Sequence, residues 1–232
     1  VFGFVPSPGI GYKWAACPWL IGATALIEQG PQQYRALARP GVTHAVTVPT
    51  LLADIVAAPP KAFPRNDAMR LVVGGGPMTL AQIEQAKARI TLNLFSELAS
   101  TEGGDIAMTA IETAEDHRWH RPHADRVVEI VDEQGQPLPD GETGRLRIDS
   151  AGGPAGYLND DEATAEFFRD GFFYPGDLAV RRADGRFALC GRVTDVLNVQ
   201  GRKILPAPIE QKLTEILGAS GACLFSMQGD DG

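Results

Sequence analysis

Four short segments of this sequence combine glycine with residues that can bind a phosphate, a sugar or a metal ion. They are Gly74-Gly-Gly-Pro77, Leu98-Ala-Ser-Thr-Glu-Gly-Gly104, Gly171-Phe-Phe-Tyr-Pro-Gly-Asp-Leu178 and Gly191-Arg-Val-Thr-Asp195. Glycine has no Cβ, so its backbone can come within contact distance of a flat ring or a phosphate. Each segment taken alone also has a plain structural explanation, a turn or helix cap for the first three and a surface arginine for the fourth, so the four have to be weighed together.

In the second segment, Thr101 and Glu102 set a hydroxyl beside a carboxylate. These hard oxygen donors suit Mg²⁺ that bridges nucleotide phosphates. In the third, Asp177 on a glycine turn can accept two hydrogen bonds from a vicinal diol such as a ribose. In the fourth, Arg192 can bind a ribose or phosphate oxygen. The plain alternatives are a turn-forming Asp177 and a surface Arg192 paired with Asp195.

The elements that position the first two segments form a βαβ pattern. A strand at His44–Val48 is followed by a helix from Pro49 through Ala57, and a second strand at 71–73 runs into Gly74. Thr79 is a plausible N-cap for a helix with apolar residues in a helical rhythm, and a third strand is expected at 91–95. Loops at the carboxyl ends of neighbouring parallel strands face the same crevice, where ligands bind in such sheets.

The pattern changes near residue 120 to short alternating strands. Strands are expected at 126–131 and 144–148, with a turn at 132–135, a helix begun by Asp160 or Asp161, and a hairpin around 183–185. The predicted class is α/β: a parallel-sheet βαβ subdomain (1–115), a small antiparallel β-barrel subdomain (116–191), and the truncated beginning of a C-terminal α+β lid (192–232). Both ends look cut, so the chain is expected to be a fragment.

Composition excludes several classes of protein. The net charge of −8 argues against a nucleic-acid-binding surface, which needs clustered Lys and Arg. The three cysteines form no metal motif, so reduced thiols in a cytoplasmic protein are expected. The most apolar stretch, 17–27, is too short to span a bilayer, and no secretory signal opens the chain. The histidines at 117, 120 and 123 favour a solvated loop over a metal site, since no acidic or Cys partner is near.

The order and spacing of the four segments resemble the AMP-forming adenylating superfamily, which includes acyl- and aryl-CoA synthetases, luciferases and nonribosomal peptide adenylation domains. GYLNDDEATAEFFRDGFFYPGDL is similar to its GYxxxxxxTxxxFxxDGWFxTGDL motif, and GRVTDVLNVQGRKILPAPIE is similar to its hinge motif. The resemblance covers essentially the whole chain as the second half of the core domain plus the start of the lid.

The resemblance implies a role for each matching residue. The glycine loop, Leu98 and the Thr-Glu pair would hold adenine, phosphate and Mg²⁺, Asp177 and Arg192 would contact the ribose, and four further residues would line the acyl pocket. The implied set is Gly74, Gly75, Gly76, Pro77 and Leu98 for adenine, Thr101 and Glu102 for catalysis, Glu102 for metal, Thr194 and Asp195 for the hinge, and Trp19, Gly22, Gly103 and Gly104 for the acyl pocket.

The implied reaction joins a small carboxylic acid to ATP, giving an acyl-adenylate, and then passes the acyl group to coenzyme A or to the phosphopantetheine thiol of a carrier protein. Small and apolar pocket residues indicate that the acid carries an uncharged acyl chain or ring. A homodimer is a possible assembly that the sequence does not decide. Leu98 replaces the family's adenine-stacking aromatic and Thr194 its hinge acid. These departures leave a degenerate adenylation-fold protein with a binding or scaffold role as an alternative. A carrier-protein ligase in a larger assembly line is a third possibility, which no residue of this chain favours or excludes. The family's phosphate loop and adenylation lysine are expected outside residues 1–232, so the isolated chain is expected to be inactive.

Overall fold

The computed structural model describes residues 9–28, 32–199, 202–217 and 222–225. Backbone contacts divide the chain into two compact units, Val1–Arg126 and Val127–Gly232. The three subdomains expected at 1–115, 116–191 and 192–232 stay a prediction. None of the helices in the described ranges is both long and apolar enough to cross a membrane.

The first unit is built on a mixed sheet with the strand order β1-β2-β3-β4. Its elements are α1 (Gly9–Leu20), a 3-10 turn (Gln33–Ala38), β1 (His44–Thr47), α2 (Pro49–Val56), β2 (Arg70–Gly74), α3 (Leu80–Arg89), β3 (Leu94–Ser100) and β4 (Gly104–Ala110). Strands β1, β2 and β3 are parallel and β4 runs antiparallel to β3. The predicted βαβ unit and parallel sheet are therefore confirmed.

Helices α2 and α3 cover one face of this sheet, because their apolar residues recur at helical spacing. Leu52 and Ile55 of α2 and Ile83 and Ala86 of α3 are buried in a core that also contains Leu71. The expected N-cap of α3 is confirmed as part of a full capping box. The Thr79 hydroxyl accepts from the Gln82 backbone N–H at 3.2 Å, and the Gln82 side-chain oxygen accepts from the Thr79 N–H at 3.0 Å.

Two features of the first unit differ from the sequence-based expectation. Strand β3 begins at Leu94, not at Thr91, and continues to Ser100, so Leu98 lies within a strand and only 101–103 turn into β4. Helix α1 was not expected either, because Gly9, Gly11 and Pro18 disfavour helix. Helix α1 is held by tertiary packing: buried Ala15 lies in a small apolar cluster with sheet residues Val46 and Val72.

The second unit is built on an antiparallel sheet. Its elements are β5 (Val128–Val131), β6 (Thr143–Asp149), α4 (Asp161–Phe167), β7 (Phe168–Arg169), β8 (Phe172–Phe173), β9 (Asp177–Arg181), β10 (Phe187–Arg192), a 3-10 turn (Val193–Asp195), β11 (Leu197–Val199), β12 (Arg202–Ile204) and α5 (Pro206–Leu217). The main sheet has the order β10-β9-β6-β8-β7, and β5 also pairs with β6. Asp160 caps α4 by accepting from the Ala163 N–H at 2.9 Å, as one of the two predicted alternatives. The expected fold class, a parallel-sheet α/β part followed by antiparallel strands and the start of a lid, is confirmed.

Candidate functional site

The glycine loop leaves β2 at the edge of the parallel sheet. Gly74 is buried, whereas Gly75, Gly76 and Pro77 are exposed. Gly75 adopts φ +79°, which an L side chain rarely takes, so the sharp exit from the strand needs glycine. The loop therefore presents bare backbone to solvent immediately before the N-terminus of α3.

Leu98, Thr101 and Glu102 lie at the same edge, on the hairpin that joins β3 to β4. In the parallel register, Gly74 pairs with Glu97, so the glycine loop and this hairpin follow neighbouring strands, as expected. Leu98 and Glu102 are half-buried, and Thr101 is exposed. The Gly103 N–H donates to the Ser100 hydroxyl at 2.7 Å, which closes the turn.

A charged cluster occupies the other side of this edge, and sequence reasoning missed it. Lys13 of α1 donates to Glu97 Oε1 at 2.8 Å and also forms a hydrogen-bonded ion pair with Asp105. The indole N–H of Trp14 donates to Glu97 Oε2 at 3.2 Å. Burial alone would lower the pKa of Lys13, but its bonds to Asp105 and Glu97 raise that pKa on balance, so the ammonium stays charged. The sequence-based expectation of an uncharged acyl group was drawn from small and apolar residues alone. It did not take the charged side chains of Lys13, Glu97 and Asp105 into account.

Gly74 makes room for this cluster. A Cβ built on Gly74 would lie 3.0 Å from Glu97 Oε2, closer than ordinary contact, and 3.4 Å from Glu97 Cβ. The signal available from the sequence was a charged residue, Glu97, inside an apolar strand. Its partners were not readable, because Lys13 is more than 80 residues away along the chain.

In the second unit, Asp177 and Arg192 are paired across β9 and β10. Asp177 Oδ1 lies 3.1 Å from Arg192 Nε, and Arg192 Nη1 donates to the Pro175 carbonyl at 2.7 Å. Burial raises the pKa of Asp177, and the charge of Arg192 opposes that rise. The alternative pairing of Arg192 with Asp195 is not what the structure shows; Asp195 instead accepts from the Thr194 hydroxyl at 3.0 Å.

Thr194 and Asp195, the predicted hinge pair, lie in the 3-10 turn after β10. Gly191, just before it, adopts φ +129°, and the Val193 N–H donates to the Gly176 carbonyl at 2.8 Å. The turn therefore begins from a conformation that only glycine adopts readily. No described contact of the turn bears on a rotation of the lid, so the hinge role stays a prediction.

The four residues expected to line the acyl pocket are spread over two places. Trp19, at the end of α1, is 66% exposed, and Gly22 is exposed just after it. Gly103 and Gly104 lie at the β3–β4 turn, where Arg126 donates to the Gly103 carbonyl. A cavity of about 740 Å³ under α1 is lined by Trp14, Cys17, Ile21, Val72, Met108 and others, but by none of these four.

The histidine segment 117–123 is a loop, but its side chains are not simply solvated. His120 and His123 are half-buried, and burial together with the nearby His117 lowers the pKa of His120 to about 4. Among the described residues, no three His, Cys, Asp or Glu side chains are grouped as metal ligands. The expectation of a solvated loop was wrong because the segment packs against the sheet, with Pro122 bridging to Ala107 of β4.

Comparison with known proteins identifies the family. The AMP-binding enzyme family profile matches residues 10–158, and the chain belongs to this family. The 4-hydroxybenzoate–CoA/benzoate–CoA ligase of Rhodopseudomonas palustris is 29% identical over 93% of this chain and 41% of its own length. The medium/long-chain fatty-acid–CoA ligase FadD17 of Mycobacterium tuberculosis is 30% identical over 91% of this chain and 42% of its own length.

Among solved structures, the amide bond synthetase McbA from Marinactinospora thermotolerans superposes with a TM-score of 0.85 at 26% identity. The match covers 96% of this chain and 47% of that protein. The chain thus spans less than half the length of each of these relatives.

Proposed function

We propose that the whole protein is an AMP-forming acid–thiol ligase that activates a small carboxylic acid with ATP. The acid's carboxylate oxygen bonds to the α-phosphorus of ATP as the bond to pyrophosphate breaks. A thiolate then bonds to the acyl carbon, and AMP leaves. The observation that carries this proposal is that the Gly74–Pro77 loop and the Thr101–Glu102 turn follow the neighbouring parallel strands β2 and β3, in a chain of the AMP-binding family.

The residues of the first unit fit a nucleotide. Bare backbone at Gly75 and Gly76 offers a flat surface for one face of adenine, and half-buried Leu98 offers an apolar surface for the other. The Thr101 hydroxyl is exposed and can donate to a phosphate oxygen. Glu102 would hold Mg²⁺, which offsets negative charge on the polyphosphate when bound.

Asp177 fits the ribose hydroxyls in the same reaction. Oδ1 of Asp177 lies 3.1 Å from Nε of Arg192, and a carboxylate with its two oxygens can accept further hydrogen bonds from a diol. Arg192 is itself fixed by the Pro175 carbonyl, so it holds the carboxylate in one orientation and favours its ionised form. We propose that Arg192 also contacts the ribose and that Thr194 and Asp195 are the hinge of the lid.

Coenzyme A is the acceptor we propose, since the ligases of Rhodopseudomonas palustris and Mycobacterium tuberculosis are named for it. A carrier-protein thiol is the alternative within the same chemistry, and a cytoplasmic location stays a prediction. A second candidate is amide formation, in which an amine attacks the same acyl-adenylate. The similarity to McbA, an amide bond synthetase by name, favours it.

The test is acid-dependent ATP–pyrophosphate exchange by the whole protein, followed by assays for thioester and amide products. Exchange is expected with at least one small acid, and Glu102→Gln should reduce it at least tenfold. Glu115→Gln, at an exposed position of the same unit, is the matched control. Absence of exchange by folded protein, together with no binding of an acyl-adenylate analogue, would favour the degenerate scaffold reading instead.

A further inference from the structure

The Lys13–Glu97–Asp105 cluster joins helix α1 to the β3–β4 hairpin, which lies more than 80 residues further along the chain. The Glu97 side chain is only 1% exposed, yet both of its oxygens have donors, from Lys13 and from the Trp14 indole. The Lys13 ammonium also lies 4.9 Å from the centre of the Trp14 ring. The side chain of Lys13 is 30% exposed and that of Asp105 is 42% exposed. The cluster is therefore shielded from solvent at Glu97 and accessible to solvent at Asp105.

A bulge places Asp105 in the cluster. Glu97 pairs with Met108 and Leu98 with Ala107, but Ala99 pairs with Asp105. The ladder therefore skips one residue of β4, which moves Asp105 onto the sheet face that carries Glu97. Bulges re-aim side chains, and this one brings a second carboxylate to a lysine that Glu97 already neutralises.

The cluster carries a net negative charge with unused hydrogen-bonding capacity. One ammonium and two carboxylates sum to about −1. Lys13 uses two of its three N–H groups on the carboxylates. Asp105 accepts from Lys13 through Oδ1, and its side chain is 42% exposed, so the carboxylate keeps acceptor capacity that a ligand can reach. A ligand group that donates hydrogen bonds would complete this arrangement. A carboxylate on the ligand would be repelled by the net negative charge of the cluster.

The cluster also lies beside the proposed reaction site. Asp105 directly follows Gly104, and Glu97 pairs with Gly74 at the start of the glycine loop. Side chains alternate along a strand, so Leu98, proposed for adenine, points to the face opposite Glu97. The two sides of one sheet edge thus offer an apolar surface for the base and a charged one for another part of the substrates.

We propose that Lys13, Glu97 and Asp105 select the acid, which carries an amino or hydroxyl substituent away from its reacting carboxylate. The exposed Asp105 carboxylate accepts from that substituent, Lys13 holds Asp105 in place, and buried Glu97 holds Lys13. Because the cluster is net negative, a protonated amine is bound better than a hydroxyl, and either is bound better than hydrogen or a carboxylate. This inference rests on the proposed adenylation activity.

The test uses pyrophosphate exchange by the whole protein with acids matched in size. The probes are benzoate and hexanoate and their terminally amino-, hydroxy-, methyl- and carboxy-substituted forms. In at least one series, kcat/KM for the amino or hydroxy acid is expected to exceed that of the methyl acid at least tenfold. Asp105→Asn should reduce that ratio at least fivefold, and Asp105→Lys should shift it towards the dicarboxylate. Asp54→Asn, at an exposed position on α2, should leave the ratio unchanged.

The outcomes separate the two proposals. Exchange that is fastest with methyl-substituted acids, or a ratio that Asp105→Asn does not change, overturns this inference and leaves adenylation intact. No exchange with any acid overturns the proposed function and this inference with it. Circular dichroism and thermal unfolding of each variant establish that the compared proteins are folded, and Asp105→Asn keeps a hydrogen-bonding group at a half-exposed position.

Discussion

Asp177 and Arg192 face each other across the antiparallel strands β9 and β10, with Oδ1 of Asp177 3.1 Å from Nε of Arg192. Burial of the carboxyl raises its pKa despite this cation. Burial therefore outweighs the attraction of Arg192, and the folded environment disfavours the charged form of Asp177 relative to water. Groups in such environments are common at functional sites.

Asp177→Asn separates function from stability. Because the pKa of Asp177 is higher in the folded state than the unfolded value of 3.8, ionising this carboxyl above pH 3.8 makes folding less favourable. Asparagine does not ionise, so the variant lacks this destabilisation at pH 7. We expect an unchanged or slightly higher melting temperature, and ATP binding by the whole protein weakened about tenfold or more. Calorimetry and thermal unfolding measure the two effects.

Asp140→Asn is the matched control, because Asp140 forms an exposed ion pair with Arg181 at 2.7 Å. It should change neither ATP affinity nor stability by much, since exposed pairs contribute about 0–1 kcal/mol. Equal ATP affinity for Asp177→Asn and the native protein would remove Asp177 from the nucleotide site.

Gly74→Ala and Gly76→Ala test the glycine loop as a matched pair. A Cβ on Gly74 would lie 3.0 Å from Glu97 Oε2, a buried oxygen that accepts from the Trp14 indole, so we expect a loss of about 1–3 kcal/mol in the free energy of unfolding. A Cβ on Gly76 would meet nothing closer than Pro49 at 3.7 Å. Gly76→Ala should leave stability within about 0.5 kcal/mol but weaken ATP binding by the whole protein.

Chemical denaturation of both glycine variants provides the measurement. A Gly74→Ala variant as stable as the native protein would mean that Glu97 adjusts easily. A Gly76→Ala variant with native ATP affinity would show that adenine does not lie against this backbone.

Thr79→Ala removes one half of the capping box at the start of α3. The Gln82 backbone N–H then loses its acceptor, so unfolding should become about 1 kcal/mol easier. Thr50→Ala, at an exposed position in the first turn of α2, is the control and should be neutral or slightly stabilising, because alanine favours helix. Equal effects of the two substitutions, measured in urea, would argue against the cap.

What the sequence predicted well was local. The strand ending at Gly74, the N-cap at Thr79 and the helix after it follow from residues within a few positions of one another. What it did not predict depends on distant partners: α1 forms despite Pro18, and Lys13 finds Glu97 through tertiary packing. A turn at the Thr-Glu-Gly-Gly segment was among the alternatives, but the antiparallel strand β4 that follows it and pairs with β3 was not predicted.

His120 should make the protein sensitive to acid. Its pKa is lowered to about 4 in the folded state from an ordinary 6.5, mainly by burial. Between pH 6.5 and pH 4 the unfolded chain binds a proton at His120 more readily than the folded protein does. The free energy of unfolding is therefore highest above pH 6.5, as far as His120 is concerned, and falls as the pH is lowered from 6.5 towards 4. The loss is at most about 3 kcal/mol.

The measurement is the free energy of unfolding at pH 7 and pH 4.5 for the native protein and two variants. His120→Gln should lose less stability on acidification than the native protein does, whereas His44→Gln, at an exposed position, should behave like the native protein. Identical acid sensitivity in all three would place the acid response in other groups.

Leu98→Tyr should strengthen nucleotide binding by the whole protein. Leu98 is half-buried on β3 and is proposed to lie against one face of adenine, where an aromatic ring would add about 0.5–1.5 kcal/mol of stacking. That energy corresponds to roughly a two- to tenfold lower Kd for ATP. Leu98→Met keeps the size and apolar character without the ring, and its Kd should match that of the native protein. If tyrosine weakens ATP binding while methionine does not, the space beside Leu98 is too small for a ring, and adenine is held by the glycine loop without a second stacking surface.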